Sequence, residues 1–160
     1  MPSPDALRTQ ALSIAGASSV AAAAGVTMPK WQSHVQWYVE PWLGAVNIGR
    51  LPLLLLTEVD TAYTHQTQPG HGGTRTSVLR GRVCTRCFNI GSNNPRVAYD
   101  RAVGIIRAFF ALMRASDSPW ELGNDRIMAA EPSRYGISVP FELEINTSYN
   151  NEYQESLGGP

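Results

Sequence analysis

The run Leu51-Pro52-Leu53-Leu54-Leu55-Leu56-Thr57-Glu58-Val59 constrains this chain more than any other stretch of it. From Leu51 to about Tyr63 it reads as a strand that is apolar on both faces at first and then turns polar. A central strand emerging from a core has that pattern. Nothing beside it has the look of a catalytic site.

The strand's partners follow in order. His65 to Gly73 carries three glycines and a proline, which marks a hairpin loop between strands. A second strand then runs from about Thr74 to Ile90. Its alternation places Leu79, Gly81, Val83, Thr85 and Cys87 on one face and Arg80, Arg82 and Arg86 on the other, so one face is core and the other basic. Asn94-Pro95 is a cap-and-proline helix start. The helix it opens reaches about Ala115, with Tyr99, Ala102, Val103, Ile106, Phe109, Phe110 and Met113 recurring at three and four as a buried stripe. Asp100, Arg101, Arg107 and Arg114 sit off that stripe. A short strand around Arg126 to Ala130 leads through Pro132 and Gly136 into a last strand. There Ile137, Val139, Phe141, Leu143 and Ile145 face the core, and Glu142 and Glu144 face away.

The N-terminal third is read differently. Ser3-Pro4-Asp5 predicts a helix from about Pro4 to Ala24, weakened near Gly16 and Ser18-Ser19 and stopped at Gly25, so two pieces are expected. Its small residues let another backbone approach closely. Residues 28–48 form an aromatic, irregular insert with Trp31, Trp37, Tyr38 and Trp42. Its aromatics are expected to serve as loop anchors or interface contacts ahead of a ligand pocket. Residues 151–160 read as a polar, flexible tail.

A helix, two strands, a helix and two strands make an α+β protein. The expected architecture is a two-layer sandwich, an antiparallel or mixed sheet of about four strands covered by helices on one face, within one domain over residues 1–150. A length of 160 residues with 43% hydrophobic composition suits one such core.

Charge narrows the partners. Thirteen Lys plus Arg balance thirteen Asp plus Glu, so no global field draws the chain to nucleic acid. Lys30 is the only lysine; the other twelve cations are arginines, which suit planar pairing with carboxylates at interfaces. The two cysteines, Cys84 and Cys87, make no disulfide framework, and a reducing compartment is expected. No run reaches the roughly 18 to 20 apolar residues that span a bilayer, so a soluble chain without a membrane anchor is expected.

Candidate chemistry is sparse. Cys84-x-x-Cys87 with His65 and His71 allows a zinc site to be drawn, but residues three apart on a strand point to opposite faces. His34, His65 and His71 lie in connectors and read as solvated loop histidines, with no serine in a nucleophile elbow. Gly70-His71-Gly72-Gly73 lacks the following helix and lysine of a phosphate cradle. No enzyme activity, cofactor or metal is therefore expected. Arg80, Arg82 and Arg86, beside Arg75, form the one basic cluster. Phosphate contact is the weaker reading, because aromatic platforms are missing from that strand. Subunit contact is favoured, with Glu142 and Glu144, or Glu58 and Asp60, as carboxylate partners within one sheet or across a subunit boundary.

A leading helix, a Leu-Pro strand ending in Thr-Glu, a glycine-rich hairpin loop, a charged alternating strand, a helix opening at Asn94-Pro95 and a closing Phe-Glu-Leu-Glu-Ile hairpin together resemble the tail terminator proteins of long-tailed bacteriophages. The likeness covers about Leu51 to Tyr149, and the aromatic insert is longer than the family's. The resemblance implies a virion protein, made in the host cytoplasm. Six copies would form a ring on the head-proximal end of the tail tube, stop tube polymerisation and meet the head-tail connector protein, while DNA passes through the lumen without sequence-specific contact. The interface residues expected on this reading are Arg75, Arg80, Arg82, Arg86, Glu142 and Glu144. The loop bearing His65, Gln66, Gln68 and His71 would face the tail tube protein or the lumen. Alternatives are another head-tail connector or neck protein, or a small nucleic-acid or ligand-binding module.

Overall fold

A computed structural model describes residues 4–37, 52–64, 73–86, 95–116, 121–133 and 136–149. The fold is α+β, with three α-helices and a mixed six-stranded sheet among the described residues. The strands are β1 (Val35–Trp37), β2 (Leu53–Thr64), β3 (Gly73–Arg86), β4 (Glu121–Ile127), β5 (Glu131–Ser133) and β6 (Gly136–Tyr149). Their order is β1-β2-β3-β6-β4, with β5 also on β6; β1 runs parallel to β2 and the other pairings are antiparallel.

Six strands replace the expected four for two reasons. Val35-Gln36-Trp37, inside the segment read as irregular, pairs with Leu54 to Leu56 as a short edge strand too brief to show alternation. The strand expected around Arg126 to Ala130 is instead two, β4 and β5, and β5 contains Pro132, which a sheet tolerates at an edge.

Helix α1 (Pro4–Ala15) and helix α2 (Ser18–Ala24) divide at Gly16 and Ala17, where the sequence predicted weakness. Gly25 closes α2 with φ 72°, its N–H turning back to the Ala22 carbonyl and that of Val26 to the Ala21 carbonyl. Helix α3 (Pro95–Ala115) carries the long stripe. Ser3 and Asn94, the expected caps, lie outside the described residues, as do 38–51, Cys87, the 65–72 loop and the tail.

All three helices lie on one face of the sheet. Leu7, Ala11, Val20, Ala21, Ala102, Ile106, Phe109, Phe110 and Met113 bury against Leu54, Leu56, Leu79, Val83, Val139, Phe141, Leu143 and Ile145 in one cluster. Phe141 is its centre. Its ring meets Phe109 at 5.8 Å and Phe110 edge-on at 5.6 Å. It also lies across Gly81 on the adjacent strand, where a Cβ would stand 2.5 Å from both the ring and the Leu55 carbonyl. Glycine in the middle of a charged strand is thereby explained. The stripe differs from expectation at three places: Ala98 and Ile105 are buried, and Tyr99 is exposed near the start of the helix.

The aromatic insert supplies anchors. Trp31 is fully buried and its indole N–H donates to the Ala15 carbonyl at 2.7 Å, satisfying the end of α1. Trp37 lies under the Arg8 guanidinium, 4.9 Å from its ring centre. His34 corrects the expectation of a solvated histidine. It is buried, stacked on Trp31, with Nδ1 2.9 Å from the Pro52 carbonyl.

A bulge at Thr57 sets the register of β2. Leu54 and Leu56 stand opposite Val83 and Gly81, and past the extra residue Glu58 stands opposite Arg80 and Val59 opposite Leu79. Unbroken alternation would have put Glu58 opposite Leu79, in the core row.

Candidate functional site: the helix-free sheet face

Among the described residues no helix covers the second face of the sheet, and that is where the charged residues of β3 and β6 stand. The alternation that sends Leu79, Gly81 and Val83 into the core brings Val78, Arg80 and Arg82 to this face, beside Glu142, Glu144 and Asn146 of β6.

The register makes rows across the strands. One row reads Glu58, Arg80, Glu142, Arg126, alternating in charge through β2, β3, β6 and β4. Within it Arg80 Nε donates to Glu142 Oε1 at 3.1 Å. These are directly opposed residues, so the pair follows from pairing register alone. Arg82 Nη1 reaches Glu131 Oε2 of β5 at 2.5 Å. Of the two options open from sequence, pairing within one sheet is the one realised for Arg80.

Toward the tip of the hairpin the rows lose their cations. Asp60, Val78 and Glu144 share one row, and Glu121 stands opposite Asn146 in the next. Asn146 is held by Thr76 at 2.8 Å and offers its amide to Glu144 at 3.4 Å, while no arginine meets Glu144 among the described residues. Gly123 leaves room for this carboxylate, since a Cβ there would come within 2.9 Å of Glu144 Oε1. At the other end the face is buried: Leu53, Leu55, Cys84, Ser138 and Pro140 are all shielded from solvent. Burial pushes the Cys84 thiol up from its ordinary range, with the Ser138 hydroxyl and the Arg82 charge pulling weakly the other way. A buried, protonated thiol is inert.

Two expected members of the cluster fall elsewhere. Arg75 has the parity of Leu79, not of Arg80, and so lies on the helix side, buried, with its Nε lacking a hydrogen-bond partner among the described residues. Arg86 ends β3 opposite Gly136. His65, Gln66, Gln68 and His71 lie outside the described residues. So do both histidines and Cys87 of the drawn zinc site, and among the described residues no three metal-ligating side chains converge.

Sequence reasoning missed Glu131 as a partner of Arg82 and the pairing of Arg114 with Asp125, which ties α3 to β4. Only register could have found them. Among the described residues no helix is long and apolar enough to cross a membrane. Compared with known proteins, the chain matches no family model and no curated protein.

Proposed function

We propose that this chain is a structural virion protein that forms a closed ring at the head-proximal end of a phage tail tube, ending tube polymerisation and joining the tail to the head connector. The observation that carries the reading is the helix-free sheet face. A sheet face that no helix covers among the described residues, with half-buried charged residues in register along part of it, offers a patterned surface suited to a protein partner. The order of elements, with its long β2-β3-β6 ribbon and the helix between hairpins, is the order on which the resemblance to tail terminators rests. A ring needs two different complementary patches on each subunit.

Arg80 and Arg82 are engaged by carboxylates of the same chain, which leaves them less free both for phosphates and for a neighbouring subunit. On the ring reading the protein has no catalytic step. Light scattering of the purified protein and electron microscopy of tails test it: a ring of several subunits that caps growing tubes is expected. A strict monomer at high concentration with no affinity for tube ends would overturn it, and rings that bind head connectors without stopping tube growth would assign it to the neck instead.

A further inference from the structure

The second patch is on α3. Its buried stripe leaves an outward crest of Val97, Gly104 and Ala111, residues that recur on one side of the helix at 100° per residue. Val97 is 57% exposed, and a Cβ on Gly104 would meet nothing within 4 Å. The crest is low and smooth. Arg101 flanks it on one side and Arg107 on the other, both exposed and neither in an ion pair among the described residues. The exposed surface of α3 as a whole carries Arg96, Arg101, Arg107 and Arg114 against Asp100 alone.

The tip-ward half of the helix-free sheet face is its complement. There Val78, partly exposed, lies between Asp60 and Glu144 in register, with Glu121 exposed in the next row and no cation in either. A smooth apolar crest flanked by arginines thus matches an apolar spot flanked by carboxylates. Packing α3 on a second α3 would instead set like charges together.

Resting on the ring reading, we infer that neighbouring copies join through these two patches: the crest of α3 in one copy lies on the Val78, Glu144 and Glu121 surface of the next, and Arg101 and Arg107 meet those carboxylates. The two patches lie on opposite layers of the fold, so the contact is head-to-tail and propagates around a ring. It also gives Glu144 an arginine, which it lacks among the described residues.

A charge swap tests the inference. Arg101→Glu with Arg107→Glu makes both patches acidic, and Glu121→Arg with Glu144→Arg makes both basic. Each variant alone is expected to associate about a hundredfold more weakly than the parent. An equimolar mixture is expected to recover assembly, with the two variants alternating. Circular dichroism checks that each is folded. The neutral variant Glu121→Gln with Glu144→Gln, which preserves shape, is expected to weaken association about tenfold and to reduce its salt dependence. If the parent assembles and the folded Arg101→Glu, Arg107→Glu variant assembles equally well, or if the folded pair fails to recover on mixing, this contact is wrong while the ring reading stands. A parent that neither self-associates nor binds tube ends overturns both.

Discussion

The two faces of one sheet are built from the same strands and held by different physics. On the helix side, alternate residues of β3 and β6 join a core of fully buried aliphatic and aromatic side chains around Phe141. On the other side, one residue along, the neighbours are arginines and glutamates in register, with side chains roughly a third exposed in the Arg80–Glu142 pair. Apolar burial is worth about 25 cal/mol for each Å² removed from water, whereas an exposed ion pair contributes at most about 1 kcal/mol. The first face therefore fixes the fold, and the charged half of the second is free to be selected for what it touches.

That contrast can be broken most directly at Phe141. Phe141→Ala is expected to cost about 3 to 5 kcal/mol of unfolding free energy, measured by denaturant titration, through lost transfer energy and an unfilled cavity. A loss below 1 kcal/mol would mean the helix side does not carry the fold. Gly81→Ala attacks the same spot from β3, where the new methyl meets a backbone carbonyl and the ring; a loss of about 1 to 3 kcal/mol is expected. Trp31→Phe keeps the bulk but leaves the Ala15 carbonyl without its donor, for about 1 to 3 kcal/mol.

On the charged face effects should be small. A double-mutant cycle on Arg80→Ala and Glu142→Ala is expected to return a coupling of about 0.5 kcal/mol, reduced by solvent screening. A coupling above about 2 kcal/mol would sharpen the picture by making this face part of the stabilising core. The thiol gives the smallest and most specific readout. Because burial raises the folded-state pKa of Cys84 above its ordinary value of 9.0, the neutral form's contribution is intact below that pH and is lost as pH rises through the higher folded value. In a Cys87→Ser background, stability should fall at alkaline pH, Cys84→Ala should remove that part of the fall, and thiol reagents should label Cys84 only on unfolding.

Periodicity made the helix side legible. The stripe on α3 and the alternations of β3 and β6 were readable because each spans many residues and both faces differ in polarity. Tyr99 was misplaced by one position, because the residue buried in that turn is its neighbour Ala98. Arg75 was grouped with Arg80 by proximity in sequence, although its parity already assigned it to the other face. Short edge strands such as β1 and β5 carry no period, and the partners of Arg82 and Arg114 come from strands whose register no local pattern encodes. The charged residues of the helix-free face could be named from sequence; which of them are occupied within the chain, and which are left to meet another molecule, could not.

The extra residue at Thr57 works on the sheet as a shift of reading frame works on a message. Upstream of it even-numbered positions stand in the core rows; downstream, the register puts Val59 and its odd-numbered successors in the rows of Leu79, Ser77 and Arg75. Were Thr57 taken into the ladder instead of bulging out, the four leucines would stay in place and every β2 position from Glu58 to Thr64 would change its register parity. The acidic rows that stand on the open face owe their position to a single unpaired amino acid.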